Sequence, residues 1–179
     1  AMLPGVPREM RGMFADTLLP WLRASLGGAA GVIRSRTVRT TGISESALAD
    51  RLRSVDRATF GAALAFLPGF EGVDLRATVR GLPPEEAEAT LARAATVMRA
   101  AAGIHCYGED ASDLAAVVLE ACRMHRWTIA VAESCTGGLL GARLTEPAGA
   151  SDTFVGGVIA YDNRVKVEAL GVAEADLAA

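Results

Sequence analysis

The chain has 179 residues, 51% of them hydrophobic and 22% charged, which describes a globular protein and excludes a disordered one. Its 18 basic and 21 acidic side chains leave a formal charge of −3, so no general electrostatic pull draws it to nucleic acid or to an anionic membrane. Arg, Glu and Asp break the apolar segments well short of a membrane span, and Cys106, Cys122 and Cys135 lack CxxC spacing; no membrane, disulfide framework or zinc knuckle is expected, and the compartment is the cytoplasm.

Pro7 opens a helix running to about Leu26, with Met10, Met13, Phe14, Leu18 and Leu19 recurring on one face. Leu26 to Gly31 is rich in Gly and Ala and marks a boundary. Val32 to Thr40 mixes β-branched residues with Arg and Ser and reads as a half-exposed strand. Ser44-Glu45-Ser46 caps a helix from Ala47 to Val55, with Leu48 and Leu52 inward. Phe60 to Phe66 suits a strand or a short helix and is taken as a strand. Pro68 to Gly72 is a turn, and Val73 to Arg80 alternates cleanly as a strand. Pro84 opens a long helix through Ala102 that packs on Ala87, Leu91, Ala94, Ala95 and Met98. Strand, helix, strand, strand and helix make a small α+β domain over residues 32–110.

Asp110 to Asp113 reads as a polar hinge into a helix from Leu114 to Arg126. Leu114, Val117, Val118, Ala121 and Cys122 form its apolar stripe, which makes Cys122 a core residue. Neither His105 nor His125 lies in a metal-ligand pattern, so both are read as structural and no metal is expected. Thr128 to Ala132 is a short apolar run that predicts a buried strand. It runs into Glu133-Ser134-Cys135-Thr136-Gly137-Gly138, a turn of small residues, and then into a helix-compatible run to Leu144. Thr153 to Tyr161 is a second buried strand, whose Gly156-Gly157 permits a bulge or a close backbone approach. Asp162-Asn163 turns the chain into a short helix from Arg164 to Leu170, with Asn163 as its cap and Gly171 as its stop.

Two strand-to-helix turns on one sheet bring Ser134 and Lys166 to the same edge, where open α/β sheets hold ligands. A serine hydroxyl needs a neighbouring base, and no histidine is suitably placed. A helix N-terminus and partial burial both disfavour an ammonium, which suits Lys166 as that base. Tyr161 at the strand end orients Lys166 or relays a proton. Thr136, Gly137 and Gly138 offer N–H groups to an oxyanion, and Glu133 holds backbone N–H groups or positions Lys166. Together these suit acyl transfer at a carboxamide. Plainer readings stand beside them: Ser134 as a helix cap, Lys166 as a solvated lysine, Tyr161 as core. Cys135 is the rival nucleophile.

The ordered motifs AESCTGG, GGVIAY, N-x-x-K and LGV resemble the start of the CinA C-terminal, nicotinamide-nucleotide amidase domain, from about Thr128 to Ala179. TTGISESALADRL, FLPGFEGVDLRATVRG and CYGED resemble the KH-like domain of the same family, and LPGVPREM resembles the last loop of its molybdopterin-binding-like domain. The resemblance implies three parts: residues 1–31 from that first domain, a KH-like domain over 32–110, and the first part of a three-layer α/β amidase domain over 111–179. It also implies conversion of nicotinamide mononucleotide to nicotinate mononucleotide and ammonia without a cofactor. Ser134 and Lys166 match the catalytic pair and Tyr161 the assisting tyrosine; serine as nucleophile leaves Cys135 packed inward. The domain's second half, with a glycine-rich loop and a phosphate-holding basic residue, has no counterpart here, so the chain is expected to be a fragment whose own activity stays open. A KH resemblance raises a nucleic-acid reading, because Gly69-Phe70-Glu71-Gly72 is formally a GxxG loop. Glu71 sets a carboxylate where phosphates would lie, which argues against it. A scaffold or homodimer module is the remaining alternative.

Overall fold

Pro7 suits a first helical turn because its missing N–H has no partner there, and α1 (Pro7–Met13) starts on it. The computed structural model describes residues 5–26, 31–53, 55 and 60–177. The expected uninterrupted helix widens at Phe14–Leu18 into a π-helical turn before α2 (Leu19–Leu26) resumes. Pro20 supplies the reason: it returns no N–H to the preceding turn and its ring crowds it. Neither α1 nor the π turn carries a buried residue, so Met13 and Phe14 form no packed face. Residues 27–30 of the expected boundary lie outside the described residues.

The next elements are β1 (Val32–Thr40), α3 (Glu45–Leu52), β2 (Ala63–Pro68), β3 (Val73–Leu82), α4 (Pro84–Ala102) and β4 (Cys106–Glu109). They form an antiparallel four-stranded sheet in the order β2-β3-β1-β4. The Ser44 hydroxyl caps α3 by accepting the Ala47 N–H at 3.3 Å. α3 begins two residues earlier than expected and ends at Leu52; residue 54, within the expected helix, lies outside the described residues. β2 starts at Ala63 rather than Phe60 and ends on Pro68, which an edge strand tolerates. β4 is an addition to the expected order, too short at four residues to show an alternation. α4 lies over the sheet on the predicted face. Ala87, Leu91, Ala94, Ala95 and Met98 meet Val38, Leu75, Ala77 and Val79, with Leu48 and Leu52 of α3 closing the core. The alanines let the helix backbone approach the sheet closely.

The expected hinge at Asp110–Asp113 is instead a bonded corner. Asp110 exchanges hydrogen bonds with Thr37: its N–H donates to the Thr37 carbonyl at 2.8 Å and its Oδ1 accepts the Thr37 N–H at 2.8 Å. Ser112 bonds Glu109 in both directions: its hydroxyl oxygen accepts the Glu109 N–H at 3.0 Å, and its own N–H donates to the Glu109 carbonyl at 2.9 Å. The chain therefore leaves the first sheet on a fixed course.

Beyond the corner come α5 (Leu114–His125), β5 (Ile129–Glu133), α6 (Leu139–Thr145), β6 (Phe154–Ile159), α7 (Asn163–Leu170) and α8 (Glu174–Leu177). α5 packs through Ala115, Val118 and Leu119, so its inner face is rotated from the expected stripe: Val117 is exposed and Cys122 is only half-buried. Both strands were expected to be buried, yet they alternate. Ile129, Val131 and Phe154 lie beneath α5 and Leu144 of α6, whereas Ala130 and Ala132 are exposed. Val155 and Ile159 are exposed as well.

β5 and β6 pair in parallel, and the register jumps from Ile129↔Phe154 to Ala130↔Gly156, leaving Val155 as an extra residue. That is the bulge expected at Gly156-Gly157. The close approach is present too: a Cβ on Gly157 would stand 2.5 Å from Val131 Cγ2 and 2.9 Å from its carbonyl oxygen. α7 is capped by Asp162, one residue before the expected Asn163, through a 2.8 Å bond from the Arg164 N–H. Its end is as expected, with Gly171 and Val172 donating to the Val167 and Lys166 carbonyls. No described helix is long and apolar enough to cross a membrane.

Candidate active site

Parallel pairing sets the ends of β5 and β6 side by side. Their last rungs are Glu133↔Ile159 and a 2.6 Å bond from the Ala160 N–H to the Glu133 carbonyl. Ser134 leads the turn after β5, and Tyr161 and Lys166 follow β6, so the three predicted catalytic residues share one sheet edge. Ser134 is half-buried, and its hydroxyl has no hydrogen-bond partner among the described residues. Lys166 is half-buried on the first turn of α7, and its ammonium donates to Asn163 Oδ1 at 3.0 Å. Tyr161 is 75% exposed rather than core. No hydrogen bond joins these three side chains to one another. Cys135, expected to pack inward, is exposed.

Glu133 is the best-determined member of the group. It is 5% exposed, and its carboxylate is wrapped by the start of α6. Oε2 accepts the N–H groups of Gly138 at 3.1 Å and Leu140 at 2.9 Å, and Oε1 accepts that of Gly141 at 2.7 Å. These donors are left over at any helix N-terminus, and here an internal carboxylate satisfies them. Burial pushes the carboxyl up, but the bonds from Gly141, Leu140, the Thr136 hydroxyl and Gly138 outweigh it and hold it below the usual range. Of the two readings for Glu133, holding N–H groups is the one seen; among the described residues it makes no hydrogen bond or ion pair with Lys166. Gly138 is required at its place: its φ is +98°, and a Cβ would lie 2.8 Å from Ile159 Cδ1.

This changes where an oxyanion could sit. The Gly138 N–H is taken by Glu133, and the Gly137 N–H donates to the Ser134 carbonyl at 3.1 Å. The N–H groups of Cys135 and Thr136 have no acceptor among the described residues. Thr136 itself is exposed. Of the N–H groups named from the sequence, that of Thr136 is therefore free while those of Gly137 and Gly138 are taken, and the Cys135 N–H is free in addition. Elsewhere, the His105 ring bonds the Thr41 carbonyl at 3.1 Å, and the exposed His125 stacks on Trp127.

The depressed Glu133 carboxyl has a pH consequence of definite sign. It adds stability that is fully present above its unfolded value of about 4.3 and is lost as pH falls through the lower folded value. Urea unfolding measured from about pH 6 down to about pH 3 is therefore expected to show a shallower acid loss in Glu133→Gln than in the unaltered chain. Equal slopes would mean that the carboxylate does not stabilise the turn.

An antiparallel α+β unit, followed by a parallel strand–turn–helix unit with a serine at the turn, defines a two-part chain of KH and α/β type. Residues 35–108 match the damage-inducible protein CinA KH domain, and residues 111–179 match the CinA C-terminal domain. The chain belongs to the CinA family. A CinA-like protein of Gemmatimonas aurantiaca is 58% identical over 171 residues, 96% of this chain and 40% of that protein. CinA-like proteins of Synechococcus sp. (strain RCC307) and Nostoc punctiforme are 44% and 42% identical over 94% and 97% of the chain. The chain spans about 40% of the length of these curated relatives.

Proposed function

We propose that this chain carries the reactive turn of an amidohydrolase that takes nicotinamide mononucleotide and water to nicotinate mononucleotide and ammonia. Ser134 Oγ attacks the carboxamide carbon while Lys166 accepts its proton. Lys166 returns that proton to the leaving nitrogen, ammonia departs, and water cleaves the acyl-serine to release the acid. The Cys135 and Thr136 N–H groups serve the oxyanion of the tetrahedral intermediate, and Tyr161 steers the lysine. Lys166 reaches Ser134 by leaving Asn163, a rotation its flexible stem permits; such bonds are often long or unmade before substrate binds.

The observation that carries this reading is the parallel pairing of β5 with β6, which sets an unpartnered serine hydroxyl and a lysine on adjacent turns. The test is ammonia release from nicotinamide mononucleotide by this chain, by its Lys166→Met variant, and by the longer Gemmatimonas aurantiaca relative with and without the matching change. Release that disappears with the lysine is the expected result. Release by the longer protein alone assigns the rest of the pocket to residues outside this chain. Absence of ammonia from both proteins would sink the proposal.

A further inference from the structure

Gly69-Phe70-Glu71-Gly72 is the turn of the β2–β3 hairpin, closed by a 2.8 Å bond from the Gly69 N–H to the Gly72 carbonyl. The Thr41 hydroxyl donates to the Glu71 carbonyl at 2.7 Å and ties the turn to the segment after β1. The Glu71 side chain crosses to the second half of the chain. Its Oε1 accepts both Nε and Nη2 of Arg143, at 3.0 and 2.7 Å, and its Oε2 accepts the Tyr107 hydroxyl at 3.1 Å.

Arg143 stands on α6, the helix that begins where the Ser134 turn ends. Besides Glu71, its Nη2 reaches Asp113 Oδ2 and its Nη1 donates to Glu146 Oε2 at 3.0 Å. Asp113 Oδ1 meanwhile caps α5 through the Ala116 N–H at 2.9 Å. One guanidinium thus joins the hairpin turn, the corner and its own helix. Arg143 and Glu71 are 29% and 22% exposed, so water screens the pair only in part. The bonds to Asp113 and Glu71 raise the Arg143 pKa, and Arg143, followed by the Ala116 N–H, holds the Asp113 carboxyl below its ordinary range.

We propose that Glu71, Arg143 and Asp113 form a latch that holds α6, and with it the Ser134 turn, in one orientation on the first sheet, with Arg143 as the positioning residue. The GxxG-like turn then serves as a receptor for an arginine of the same chain. A planar fork suits this task better than an ammonium, because it answers three carboxylates in fixed directions. The latch holds whether or not Ser134 is a nucleophile.

Nitrogen-15 relaxation and hydrogen exchange on the whole chain test it. The unaltered protein is expected to tumble with one correlation time for both sheets. Arg143→Met is expected to split this into two shorter times and to speed exchange at Gly138, Leu140 and Gly141 by about tenfold, the scale of a lost charged hydrogen bond. Amides of β1 and β3 keep their rates. Glu71→Gln is expected to reproduce the split, and combining the two changes to add little. Arg143→Lys, which keeps the charge without the fork, is expected to restore only part of the coupling. A single correlation time in Arg143→Met overturns the latch. So does an equal acceleration in both sheets, which would make Arg143 a general stabiliser.

Discussion

Ser134→Ala is expected to lower ammonia release from nicotinamide mononucleotide by on the order of 10³-fold or more while leaving the unfolding midpoint where it was. Under the proposed mechanism the rate loss follows from removing the atom that would form the acyl bond. The unchanged stability follows from the surroundings, because the hydroxyl is half-buried and bonds nothing that would be left unpaired. Steady-state rates and urea melts on the same preparations check both halves. A variant that loses activity and stability together would mean that the hydroxyl holds the turn. Retained activity in Ser134→Ala, with loss in Cys135→Ala, would move the nucleophile to the thiol, which the structure leaves exposed.

Leu75→Ala is expected to be the most damaging single truncation in the first half, at roughly 3 kcal/mol within the usual 2–5 kcal/mol for buried leucines. Leu75 is fully buried on β3, opposite Val38 of β1 on one side and Phe66 of β2 on the other. Leu48, Leu91 and Met98 share its cluster. Two strands and two helices therefore enclose the gap, and none can collapse into it without moving another. A domain of this kind has only about 5–15 kcal/mol to lose. Urea unfolding should show a lower midpoint at an unchanged slope. A loss below about 1 kcal/mol would show that Met98 or Phe66 refills the space.

The parts of this structure that local pattern governs could be read from the sequence. Pro84 through Ala102 repeats its apolar positions at helical spacing, and all five named packing residues are buried. Gly156-Gly157 allowed for a bulge or a close approach, and both occur: the extra residue is Val155, and a Cβ on Gly157 would collide with Val131. The differences arise where partners decide. β4 is too short to show a pattern and exists because β1 has a free edge for it. α5 turns Ala115 inward instead of Val117, because contact with neighbouring helices rewards small residues that hydropathy ranks low. At the candidate site, sequence spacing located the Ser134 turn and grouped it with Lys166. It offered Glu133 as a holder of backbone N–H groups but not which ones, since that depends on the path of the turn. Arg143 and Glu71 stand 72 positions apart and carried no local signal.

A helix start that opens beside a bound nucleotide usually grips its phosphate, and Glu133 forecloses that here. The carboxylate already plugs the amides of Gly138, Leu140 and Gly141, so an incoming dianion would meet a negative charge where it needs donors. Under the proposed function, nucleotide recognition would therefore be divided, with the carboxamide at the Ser134 turn and the phosphate held away from the start of α6. Ligands that keep the amide but vary the distance to their phosphate would measure that separation.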